Sequence, residues 1–252
     1  CSQKEKPTKE MIMNAPKAEK IPTMLKKHDD LRVDNYFWLN DRENPEVIDY
    51  LERENDYNDK MTAHTQDFQK SLFEEMKSRI KEDDESVPYF YNEYWYITRY
   101  EEGKQYPIFT RKKESMDAYE EILFDCNEMA KEHSYFRLTG IEISPDNKLA
   151  AFAVDTVSRR QYTLRIKNLE TGHVYPETIE NTTGNSSFAN DNITLFYTQK
   201  NPQTLRSERI FKHKLGTSAS DDTMVFHEKD DTFSTFVYKS KSQQYLIIGS
   251  AS

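Results

Sequence analysis

A serine nucleophile presented on a strand-to-helix elbow is written G-x-S-x-G. The six glycines of this chain, at positions 103, 140, 172, 184, 216 and 249, form no such motif. The nearest approach, GNSSF from Gly184, lacks the second glycine. The histidines at 28, 64, 133, 173, 213 and 227 are scattered, and no CxxC or His-rich spacing occurs, so neither a metal nor a cofactor is expected. Two adjacent guanidiniums, Arg159 and Arg160 in DTVSRRQY, fall in a turn between strands, and carboxylates are their natural partners. Two sets of acidic residues stand out: Asp83–Glu85, and Asp221–Asp222 with Glu228, Asp230 and Asp231. They suit solubilising loops, or an attraction for basic peptides.

These groups need a scaffold, and the composition permits one. The chain is unusually polar, with a mean hydropathy of -0.93, yet its 16 Tyr and 14 Phe can build a core from few residues. A net charge of -9 argues against nucleic acid as a partner, because phosphate recognition needs clustered Lys and Arg. No apolar run reaches the length of a membrane span. Cys126, in LFDCNEMA, reads as a small buried hydrophobe. Cys1 opens CSQKEKPTKE, which is similar to the start of a mature bacterial lipoprotein, so Cys1 is a lipidation candidate and residues 1–20 a flexible tail or tether. A processed Cys1 implies a periplasmic or membrane-anchored lipoprotein; without it, the expectation is cytoplasmic.

Helical periodicity comes first along the chain. Asn44 and Pro45 are a good N-cap and N1 pair, followed by Glu46 in the first turn. Val47, Leu51, Tyr57, Met61, Phe68, Leu72, Met76 and Ile80 then recur at mostly helical spacing, a length that predicts two helices. Just before them, Tyr36, Phe37, Trp38 and Leu39 form an apolar cluster in need of a cover. From Val87 the period changes to two: YFYNEYWYITRY reads as one strand, YPIFTRK as its partner and EILFD as a third, with a short helix predicted over Asn127–His133.

A repeat follows. ISPDNKLAAFAVD, FANDNITLFYTQ and YKSKSQQYLIIGS each place a polar turn before an apolar strand, with Asp146, Asp191 and Ser242 in equivalent positions. YTLRIKNLETG matches ERIFKHKLGTS as a further strand, and HVYPETI and TMVFHE follow as third patches. Repeats of about 40–50 residues built from four short strands are the mark of β-propeller blades, of which a closed ring has at least about four. The predicted fold is mainly β: an incomplete β-propeller of about three and a half blades after an α-helical segment. The expected boundaries are 21–85 for the helical segment and 86–252 for the propeller, with blades at 86–138, 139–184, 185–233 and 234–252. Such an arc leaves open strand edges, which invite self-association, and the chain is expected to be a fragment.

The blocks NYFWLND, NPEVIDYLERENDYND, EEMKSRIKEDDESVPY, EEGKQYP, VDTVSRRQYTLRIKNLETG and IENTTGNSSFANDNITLFYT resemble the amino-terminal part of the oligopeptidase B group of serine peptidases, in the prolyl oligopeptidase family. The similarity runs from about Ile21 to Ser252. It implies a seven-bladed propeller and an α/β-hydrolase domain beyond this chain that carries the whole catalytic triad, so no residue here is expected to be catalytic. It implies hydrolysis of short peptides after Arg or Lys, with the propeller restricting access. It also implies that Tyr36–Leu39 pack on the hydrolase domain, and makes Arg159 and Arg160 candidates for an interdomain latch. The competing expectation is a stand-alone propeller-type binding or scaffold protein without activity.

Overall fold

The computed structural model describes residues 14–252. Cys1 and most of its tail lie outside the described residues. Two compact units divide between Ile80 and Lys81.

The first unit opens with a hairpin, β1 (Thr23–Lys27) and β2 (Asp30–Asp34), turned by His28 and Asp29 at positive φ. A 3-10 turn at Phe37–Asn40 leads to helix α1 (Pro45–Thr62), and a second at Ala63–Thr65 separates it from α2 (Gln66–Ser78). Asn44 is the N-cap, its Oδ1 accepting from the Glu46 N–H at 2.9 Å with Pro45 at N1, so the sequence signal is met at atomic level. In this unit Val47 is the buried apolar residue among those described, whereas Leu51, Met61, Phe68, Leu72, Phe73, Met76 and Ile80 are exposed.

The second unit is built from antiparallel strands. Strands β3 (Tyr89–Tyr91), β4 (Tyr94–Arg99), β5 (Ile108–Lys113) and β6 (Glu120–Asp125) form the first blade, in that order. YFYNEYWYITRY is therefore a hairpin and not one strand: Asn92 (φ 45°) and Glu93 (φ 70°) form a two-residue turn whose positive φ angles match the twist of the flanking strands. Helix α3 (Cys126–Ala130) begins one residue earlier than predicted and stops sooner, because the Asp125 carboxylate caps it, accepting from the N–H groups of Asn127 and Glu128 at 2.9 and 3.2 Å.

A seven-stranded meander follows: β7 (Arg137–Ile143), β8 (Leu149–Asp155), β9 (Tyr162–Asn168), β10 (Ile179–Phe188), β11 (Thr194–Lys200), β12 (Ser207–Lys214) and β13 (Thr223–His227). It is two blades joined through β10. The first part of β10 pairs with β9, and after Thr182 its later residues pair with β11. The patch HVYPETI contributes only Ile179 to β10 itself, while Val174 makes an isolated bridge to Lys167. Strands β14 (Ser234–Lys239) and β15 (Leu246–Ala251) complete the described chain as a hairpin.

Strand β8 shows why LAAFAV is apolar without alternation. Ala150 and Phe152 pack toward the first blade with Tyr96, Leu123 and Phe124, whereas Leu149, Ala151 and Ala153 pack toward the third with Phe188, Leu195 and Tyr197. A strand with core on both faces has no polar side to offer.

The turns preceding the second strand of each blade are tied to one another by amides. Asn92 Nδ2 donates to the Pro145 carbonyl and to Asn147 Oδ1, both at 2.9 Å, and Asn147 Nδ2 returns a bond to the Asn92 carbonyl. Asp146 N–H donates to Asn192 Oδ1, and Asn190 Nδ2 to the Gln243 carbonyl. Asn147, Asn192 and Gln243 all sit near φ +60°, so the Asp146–Asp191–Ser242 repeat marks equivalent turns, and Asn92–Glu93 is a fourth.

Gly140 in β7 (φ 61°) lies against Gly184 in β10 (φ 90°), and a Cβ on Gly140 would overlap the Gly184 carbonyl oxygen. Gly140→Ala should therefore destabilise the second unit by roughly 3 kcal/mol or more, combining an overpacked backbone contact with a disfavoured φ. Urea denaturation of the variant against the parent measures this.

Candidate functional site

The inner strands of the blades face a cleft of about 690 Å³, reached by β3, β4, β7, β10 and β14. Glu142 stands in β7 within the otherwise uncharged segment LTGIEI. Burial raises its carboxyl to about 7, opposed by the Lys239 ammonium across the cleft and by a hydrogen bond from the Phe188 N–H. Lys239 is itself depressed by burial, with Glu142 acting in the opposite sense. Tyr89 and Tyr91 line the same cleft, and both phenols are raised by burial and by the facing Glu142. Tyr89 stacks on Tyr96 at 5.3 Å, and the Tyr96 phenol is pushed up to about 12 by burial. The Ser186 hydroxyl on this cleft is buried without a hydrogen-bond partner, and the Arg111 guanidinium lies beside the Tyr96 phenol. The cleft thus combines an acid poised near neutrality, one ammonium, aromatic walls and one free hydroxyl. It can bind a polar ligand; it presents no nucleophile–base pair. None of these residues was singled out from sequence, although a glutamate inside an apolar strand was the available signal.

Arg159 and Arg160, the sequence-predicted pair, occupy the loop between β8 and β9, away from the residues lining this cleft. Both are exposed. The loop beneath them is firmly built: buried Asp155 accepts from the N–H groups of Val157, Ser158 and Arg160 at 2.9, 3.0 and 2.7 Å, and Lys200 Nζ donates to the Arg160 carbonyl at 2.7 Å. The guanidiniums are held out from a fixed base.

The acidic residues prove largely occupied. Asp222 is no surface charge: its carboxylate is buried between His213 Nδ1 at 2.8 Å and the Tyr197 hydroxyl at 2.9 Å. Asp84 pairs with Lys81, Glu228 accepts from Ser250, and Asp230 caps its own turn through Thr232. Cys126 is buried, and its thiol is pushed up to about 12 by burial.

Glu142 carries a testable consequence. Its carboxyl is raised in the folded state, so the stability it contributes is complete below about 4.5 and is lost as the pH rises through about 7. Glu142→Gln should remove that dependence, and over this window the parent should lose on the order of 2 kcal/mol relative to the variant. Urea midpoints measured at intervals from pH 4.5 to 8 give the result.

Residues 16–252 match the family described as prolyl oligopeptidase, N-terminal beta-propeller domain. The chain is 39% identical to a dipeptidyl aminopeptidase BI of Pseudoxanthomonas mexicana, over 92% of this chain and 35% of the relative. It is 33% identical to a Protease 2 of Moraxella lacunata, over 95% of this chain and 36% of the relative. The chain therefore spans about a third of the length of these curated relatives. Among solved structures it is similar to oligopeptidase B from Leishmania major, with a TM-score of 0.86 and 30% identity, covering 95% of this chain and 36% of that one.

Proposed function

Because this chain belongs to the prolyl oligopeptidase family through its N-terminal β-propeller domain, we propose that it is the amino-terminal part of an oligopeptidase B-like serine peptidase, inactive alone, whose triad lies in a further α/β-hydrolase domain. The observation that carries this reading is the match along nearly the whole chain to Protease 2 and to a solved oligopeptidase B. The reaction is hydrolysis of short peptides after Arg or Lys through an acyl-enzyme, with a histidine base and an oxyanion hole. The propeller admits flexible peptides and turns folded proteins away.

In this reading the first unit belongs with the catalytic domain. Its exposed apolar residues, Tyr36 and Phe37 before α1 and Leu51, Phe68 and Phe73 on the helices, are the surface that domain covers. Arg159 and Arg160 latch the closed state by pairing with carboxylates of that domain. The 39% identity to a dipeptidyl aminopeptidase supports a second specificity, release of dipeptides from a free amino terminus.

The product of the native gene decides the first point. An intact mass well above 29.9 kDa, with cleavage of Arg- and Lys-linked reporters, is expected; a product of this mass without activity would favour the binding or scaffold reading. Amino-terminally acetylated reporters separate the two specificities, because only a dipeptidyl aminopeptidase loses them. In the complete enzyme, Arg159→Ala or Arg160→Ala should lower kcat/KM about two- to fivefold, the range of an exposed ion pair. Unchanged kinetics in both variants would remove the latch.

A further inference from the structure

We propose that the inner cleft of the propeller holds a subsite for a primary ammonium group of the peptide substrate, with Glu142 as its counter-ion. The proposal rests on the peptidase reading for the identity of the ligand and on the cleft itself for the site.

Three observations meet there. Glu142 places a half-buried carboxyl in the otherwise uncharged segment LTGIEI, where the Phe188 N–H offsets it in part, a costly arrangement unless a cation completes it. Within the described residues it forms no ion pair: Lys239 acts on it across the cleft only at longer range. The hydroxyl of Ser186 lines the same cleft, is more than nine-tenths buried and has no partner, so one acceptor is left over. Finally, the rings of Tyr89, Tyr91 and Tyr96 form an aromatic wall beside the carboxyl, with Tyr89 and Tyr96 stacked. Aromatic faces attract cations.

An ammonium has three donors and no acceptor, which matches the two oxygens of one carboxylate and one hydroxyl. A planar guanidinium, with five donors in a fixed fork, suits this set less well. Lys239 is the built-in competitor, because its own ammonium faces the same carboxyl. A ligand ammonium must displace its influence.

The test uses the complete enzyme and a tetrapeptide reporter, Lys-Ala-Phe-Arg linked to a chromophore, in four forms: free, Nα-acetylated, Nε-acetylated and doubly acetylated. The quantity read is kcat/KM of the free peptide divided by that of the doubly acetylated one. The parent should show a ratio of about ten, as one charge-assisted contact gives. Glu142→Gln should bring it to about two, Ser186→Ala should lower it less, and Lys239→Met should raise it. The single acetylation that abolishes the advantage identifies the source, the peptide terminus or the lysine side chain. Equal ratios in the parent and Glu142→Gln, with Lys239→Met also unmoved, would overturn the subsite. Equilibrium binding of the same peptides, after the active site is blocked by a covalent serine reagent, separates the two levels. If nothing is cleaved, the peptidase reading fails, and the binding ratio of the parent against Glu142→Gln still decides the subsite.

Discussion

Backbone contact between β7 and β10 sets the spacing of the blades. At Gly140 and Gly184 two inner strands come so close that neither position has room for a Cβ: Gly140 would meet the Gly184 carbonyl, and Gly184 the Thr139 methyl. Both residues take positive φ, which glycine adopts without penalty. The turn at Gly184 is secured locally, since the Thr182 hydroxyl donates to the Tyr162 carbonyl and accepts from the Gly184 N–H. This bend lets one strand close one blade and open the next, and it brings the inner strands around a shared cleft.

The contacts that hold the blades in register are mostly uncharged. Apolar packing on both faces of β8 supplies the bulk, and amide-to-backbone bonds between successive turns fix the alignment. The ion pair of buried Arg111 with Glu121 braces β5 against β6 within a blade, and Arg206 with Glu208 fixes the start of β12. Charged side chains also cross the junctions, Arg111 Nη1 donating to the Asn147 carbonyl, Lys167 Nζ to that of Leu123 and Lys200 Nζ to that of Arg160, whereas Glu142 and Lys239 stand on the cleft surface.

Local signals in the sequence were strong where chemistry is local. The cap at Asn44, the break between the two helices and the equivalence of Asp146, Asp191 and Ser242 were all legible, because each depends on neighbours a few residues away. The turn at Asn92–Glu93 was hidden by the aromatic alternation on either side, although Asn before an exposed polar residue is itself a turn signal. The D-x-x-E pattern of Asp125 and Glu128 was likewise available for placing α3. The cleft was not legible, since its residues come from strands more than a hundred positions apart and converge only when the blades are set side by side. Burial of Asp222 was hidden for the same reason: its partners, Tyr197 and His213, lie on two different strands.

Sharing β10 between two blades also bears on how the molecule forms. Every strand of the second unit pairs with its neighbour in sequence, so pairing is local and the ordering entropy of each step is small. The boundary at β10 is not a free joint, however: the outer edge of the second blade becomes the first strand of the third. During synthesis the completed second blade would therefore offer a template for the segment emerging after it, and those two blades would assemble by directional growth from the amino-terminal side, not by docking of preformed modules.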